Sequence, residues 1–178
     1  MSELLTVVEG QTDRNFIEVY CDFLCIKAEV KSCGGKHNLS SIKDIKRYDR
    51  VKIIFDADED REKAKENILN QLNESFSEDQ SKCEIFLLPN NNESGDLETL
   101  LKNIATKPHI FECFKQYTKC IGSLRKDDSN IKLPEKKSII FAYLECFGLG
   151  KISKDSLEDK IFDMNGDYLK PLKDFLSQ

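Results

Sequence analysis

The chain has 178 residues, 39% hydrophobic and 33% charged, with a formal net charge of −5. That length suits one domain with room for a small appendage. The acidic balance excludes the overall basic footprint of a protein that grips nucleic acid by charge alone.

The seven cysteines form no Cys-x-x-Cys pair and sit mostly among apolar neighbours. They read as small hydrophobes in a reducing compartment, not as a disulfide framework or a zinc cage. The opening MSELLTVVEG has no basic segment followed by a long apolar stretch. The expectation is a cytoplasmic protein without membrane contact.

Leu4–Val8 is a compact β-branched run that reads as a buried strand ending in Glu9-Gly10. Thr12 and Asp13 suit the start of a helix carrying Phe16, Ile17, Tyr20 and Phe23 at helical spacing. Gly10 permits a tight turn or the close approach of a ligand. Ala28–Ser32 alternates like a short strand, and Gly34-Gly35 with Lys36 and His37 reads as a turn in a surface loop, with a phosphate-approach loop as the other reading. Leu39, Ile42 and Ile45 predict a helix over Asn38–Tyr48. Lys36, Lys43, Lys46, Arg47 and Arg50 form the best local basic cluster, a pattern usual for a solvated face.

The centre of the chain is Val51–Asp60, VKIIFDADED. A branched apolar strand ends in Asp56 and Asp58, which an extended chain would point to the same side. Two carboxylates so placed repel each other unless a cation lies between them, and Mg²⁺ takes such oxygen ligands; the other reading is an acidic first turn of the helix that follows, which the helix dipole favours. A long amphipathic helix follows over Glu59–Phe76. Cys83–Leu88 is a fourth strand stopped by Pro89, and Asn90–Gly95 has turn composition and is expected to be mobile. A helix then starts at Asp96-Leu97-Glu98 and runs to about Ala105.

Strand and helix thus alternate four times. The predicted fold is α/β: a four-stranded, mainly parallel sheet with helices on both faces, over residues 1–106. In that topology Glu9, Asp56, Asp58 and Asp96 or Glu98 gather at the carboxyl edge. Residues 107–178 change character. Pro108–Gly122 and Glu135–Phe147 read as helices, Arg125–Pro134 as a charged linker, and Asp155–Ile161 and Tyr168–Leu176 as short helices. They are expected to form a C-terminal helical cap packed on the sheet.

These motifs carry a resemblance. VVEGQTD looks like the first motif of the Toprim superfamily, IIFDADED like the second, and FLLPNNNESGDLETLL is similar to a segment of small stand-alone bacterial Toprim-like proteins related to OLD nucleases. The resemblance covers about Leu4 to Leu101. It implies Mg²⁺- or Mn²⁺-dependent phosphodiester cleavage on DNA or RNA. Glu9 would then be the catalytic acid/base, Asp56, Asp58, Asp13 and Glu98 the metal candidates, and Gly10, Gly34, Gly35 and Lys36 the substrate-binding candidates. No Walker A sequence is present, so an ATPase of the OLD kind would be a separate partner.

Two other readings compete. One is a non-catalytic Toprim-like module that regulates or binds a partner. The other is a phosphatase of the haloacid-dehalogenase type, whose Asp-x-Asp supplies nucleophile and acid. That motif normally ends the first strand and is followed by Thr or Val. Here it ends the third predicted strand and Glu59 follows.

Overall fold

The structure is a computed structural model that describes residues 4–43, 45–157 and 160–178. Four strands, β1 (Leu4–Val8), β2 (Glu29–Ser32), β3 (Arg50–Asp56) and β4 (Cys83–Leu88), form one all-parallel sheet in the order β2-β1-β3-β4. Val8 is in register with Ser32 on one side and Ile54 on the other, so the strands end nearly level.

The central strands are apolar at nearly every position because both faces are covered. Leu5, Val7, Val51, Ile53, Phe55 and Leu87 face a layer built from Ile68 and Leu72 of α2 (Arg61–Ser75) and from Leu39 and Ile45. Val8, Ile54, Phe86 and Leu88 face Phe16, Ile17 and Tyr20 of α1 (Gln11–Phe23), and with them α3 (Leu97–Asn103). The chain runs from β1 outward to β2 and from β3 outward to β4, in opposite directions. Right-handed crossovers must then put α1 and α2 on opposite faces, as they are.

Residues 107–178 supply α4 (His109–Asp127), α5 (Ser138–Glu145) and α6 (Lys170–Ser177). Phe111, Tyr143 and Leu172 join Val8, Ile54 and Phe86 in one continuous core, so this part has no separate interior. Lys52 ties it down from the middle of β3. Its ammonium is fully buried and donates to the carbonyl oxygens of Phe175 and Leu176 in the last turn of α6. A cation there satisfies orphan carbonyls and complements the helix dipole. Among the described residues, no helix is long and apolar enough to cross a membrane.

Several local expectations are corrected. The predicted helix over Asn38–Tyr48 is two 3₁₀ turns, Leu39–Ser41 and Ile45–Arg47, with position 44 outside the described residues. Its apolar residues are buried against α2, but the segment is held by side-chain bonds, such as Gln71 Oε1 accepting from the Leu39 amide, and not by a helical ladder. The Arg125–Pro134 linker begins inside α4, which runs on to Asp127. Helix α5 is shorter than expected at both ends. Over Asp155–Ile161 there is a 3₁₀ turn, Lys154–Leu157, and positions 158 and 159 lie outside the described residues. The cap of α1 is Gly10, not Thr12.

The Asn90–Gly95 loop is held at several points. The Leu87 amide donates to Asn91 Oδ1, and Arg61 donates to the Asn91 carbonyl at 2.7 Å. Ser94 donates to the Glu59 carbonyl, and Tyr168 of the C-terminal part donates to Glu93 at 3.0 Å.

Candidate functional site

The order β2-β1-β3-β4 has its reversal between β1 and β3. In an open α/β sheet the crevice outside the strand ends at such a reversal is where ligands bind. Glu9 is the residue after β1, and Asp56 is the last residue of β3. The two lead motifs therefore meet at that point.

Each acid is fixed by backbone geometry. Asp13 lies in the first turn of α1, and its Oδ2 accepts from the Gly10 amide at 2.8 Å. Asp56 Oδ1 accepts from the Leu97 amide at 3.0 Å, which joins the end of β3 to the start of α3. Asp96 caps α3 through Thr99, accepting from its amide at 2.9 Å and its hydroxyl at 2.7 Å. Glu98 follows in the first turn. Gly95 is needed for this approach. It has φ +147°, and an added Cβ would stand 3.0 Å from the Thr99 hydroxyl. Its carbonyl accepts from the Asp58 amide at 2.8 Å.

Asp56 and Asp58 do not act as one same-sided pair. The extended run stops at Asp56, and Asp58 has φ +52°. Asp56 is held against α3, whereas Asp58 Oδ2 accepts from Lys36 Nζ at 2.7 Å. Glu9 is coupled to both sides of the cluster.

The electrostatics reflect crowded acids short of countercharge. Burial, then the charges of Asp13, Glu9, Asp96 and Glu98, push Asp56 up to about 9. Burial, then Asp13 and Asp58, raise Glu9 to about 7. Burial also raises Asp13 and Glu98. For Asp96 burial raises the pKa, but Lys136 and Thr99 together outweigh it and the net direction is down. Two lysines flank the cluster: Lys36 from the loop after β2, and Lys136 just before α5, whose ammonium donates to buried Asp96. Both are raised by these contacts.

Gly34 and Gly35 take a different part from the one expected of a phosphate loop. Their amides donate to the Glu9 carbonyl at 2.9 and 3.0 Å, so they fold the loop around β1 and deliver Lys36 to the acidic edge. His37 faces Asn67 of α2 at 3.2 Å. Beside this loop an open cleft of about 800 Å³ is lined by Asp56, Asp58, His37, Lys63, Asn67 and Asn70, among others. The remaining basic cluster disperses. Lys46 pairs with Glu78 and Arg50 with Glu84 at the surface.

Among the described residues, no three His, Cys, Asp or Glu side chains converge as a finished metal cage. Mg²⁺ does not demand one, since it keeps several waters and takes one or two carboxylates. The donor set is all oxygen, mostly desolvated and in excess of the two lysines beside it, which fits a hard divalent ion. Asp56, Asp13 and Glu98 are the desolvated members of the set, and Asp58 is about half exposed.

Sequence reasoning found Glu9, Asp13, Asp56, Asp58 and Glu98, and the structure brings all of them to this edge. It missed Lys136, which sits in a run of charges with no local signal. The Asp96-x-x-Thr99 spacing, a capping pattern, was a usable sign that Asp96 would be buried at a helix start.

A family profile matches residues 3–178. The chain belongs to the DUF3226 family, described as a protein of unknown function. No curated protein and no solved structure matches it.

Proposed function

We propose that this protein is a Toprim-type, Mg²⁺- or Mn²⁺-dependent phosphodiesterase acting on DNA or RNA. The observation that carries the reading is the convergence of Glu9, Asp13, Asp56, Asp58, Asp96 and Glu98 at the sheet reversal, with Asp56 pushed up to about 9. A bound divalent ion would offset that repulsion, stabilise charge on the phosphoryl group and acidify a water.

The chain's own residues have distinct parts in this proposal. Glu9, raised to about 7, is poised to take or give a proton near neutral pH. Asp56, with one of Asp58, Asp13 or Glu98, would hold the ion, and waters would complete its shell. Lys36 is half exposed and lines the cleft, where it can exchange Asp58 for a substrate phosphate. The Asp-x-Asp closes β3, the third strand in chain order, and Glu59 follows it, which weighs against the haloacid-dehalogenase alternative. The non-catalytic reading draws on one observation: Lys36 and Lys136 already neutralise part of the cluster.

The test is calorimetry with Mg²⁺ and Mn²⁺ on wild type and Asp56→Asn/Asp58→Asn, with cleavage of supercoiled plasmid and single-stranded oligonucleotides followed in parallel. The proposal expects metal binding lost in the double variant. It expects cleavage lost in that variant and in Glu9→Gln, which keeps its metal. Metal binding without cleavage would instead favour a regulatory module or an enzyme that works with a separate ATPase.

A further inference from the structure

The loop after β2 is fixed to α2 by side chains. Asn67 and Gln71 of α2 both donate to the Lys36 carbonyl at 2.8 Å, and Gln71 Oε1 accepts from the Leu39 amide at 2.9 Å. The first of these bonds settles a tautomer. A carbonyl only accepts, so the amide nitrogen of Asn67 must face Lys36 and its oxygen must face His37. His37 therefore carries its proton on Nδ1, as the donor in the 3.2 Å contact with Asn67. Nε2 is left as a bare acceptor on a ring that lines the cleft.

The rest of the lining is also rich in acceptors. Asp58 is taken by Lys36, and Asp60 caps α2. Glu59 and Glu66 have no side-chain partner among the described residues, and neither has Lys63. Acids outnumber lysines in this lining, so it repels a run of phosphates. Phe55 and Ala64 add apolar surface, and about 800 Å³ is the size of a small-molecule site. Apolar surface, fixed acceptors and one uncommitted ammonium suit a nucleobase. Guanine is the base whose pairing edge sets two adjacent donors, N1–H and the exocyclic amine, beside one acceptor, O6. The donors match a carboxylate and O6 matches Lys63. We propose that the cleft is a base subsite of the acidic edge, and that it takes the guanine of an unpaired nucleotide next to the phosphate being cleaved. The inference rests on the phosphodiesterase reading for the phosphate but not for the base. A paired guanine keeps this edge inside the duplex, so the substrate is a single strand or a flipped nucleotide.

Nucleosides without phosphate separate the base from the metal chemistry. In EDTA at neutral pH, NMR titration of the full chain should show guanosine binding with a Kd of about 0.1–1 mM. Inosine, which lacks the exocyclic amine, should bind about 10-fold more weakly, the effect of one lost hydrogen bond to a charged group. Uridine and adenosine should bind more weakly than guanosine as well. His37→Ala and Glu59→Gln/Glu66→Gln should each weaken guanosine by about 10-fold while the circular dichroism stays unchanged. With Mg²⁺, single-stranded oligonucleotides should be cut next to guanine. No guanosine binding, equal binding of the four nucleosides, or variants that bind like wild type would each overturn the base subsite. Guanosine binding without any metal-dependent cleavage would leave the subsite standing and overturn the phosphodiesterase reading. Metal-dependent cleavage indifferent to the neighbouring base would overturn the subsite alone.

Discussion

Asp56→Asn separates the contribution of the acid's charge from that of its shape. Asn keeps the acceptor for the Leu97 amide and removes the ionisation. The unfolded chain gives up this proton near 3.8, and the fold holds it to about 9. The group's contribution to stability is therefore complete below about pH 4 and is lost as pH rises through that window. At about pH 7 the charge costs up to about 4 kcal/mol, at roughly 1.4 kcal/mol per pH unit. The new amide N–H₂, buried without a partner, gives back about 1–3 kcal/mol. The net gain is about 1–3 kcal/mol, or roughly 2–12 °C in Tm for a chain of this size. Thermal unfolding in EDTA at about pH 7 should show Asp56→Asn more stable than wild type, and the gap should close at about pH 4.5. With Mg²⁺ at about 100 times its Kd, wild type should gain about 2.7 kcal/mol that the variant does not. A variant less stable than wild type in EDTA at about pH 7, or a gap unchanged between the two pH values, would refute the reasoning.

Because Glu9 and Asp56 are protonated near neutrality, metal binding should release about one proton or more at about pH 7. Calorimetry in buffers of different ionisation enthalpy should show this, with affinity rising as pH goes from about 6 to 9. Lys136→Met removes a cation that competes for the cluster, so it should tighten Mg²⁺ binding several-fold. It should also cost about 1–3 kcal/mol in EDTA, between the values for exposed and buried pairs, because buried Asp96 loses its partner. Gly95→Ala should destabilise by about 1–3 kcal/mol in chemical denaturation, since both its φ and the Thr99 side chain oppose a Cβ. A milder effect would mean that the β3–α3 junction is softer than its geometry implies.

The sequence by itself determined the alternation of strand and helix over the first hundred residues. It also placed Glu9 and Asp56 at strand ends, because apolar periodicity and a strand's last residue are local properties. It could not determine which strands are neighbours, and so could not see that β1 and β3 lie side by side with the reversal between them. Pairing of distant strands leaves no mark on local periodicity. The same limit hid Lys136, which reaches Asp96 only once the C-terminal helices fold back on the sheet, and Lys52, a charge in an apolar strand that is stable only because the end of α6 arrives over it. Where Leu39, Ile42 and Ile45 suggested a helix, spacing was read correctly as burial but not as backbone. Contact with α2 buries those side chains in 3₁₀ turns just as well. Local chemistry decided which residues could form an acidic edge, and tertiary packing decided that they meet, what neutralises them and how firmly their protons are held.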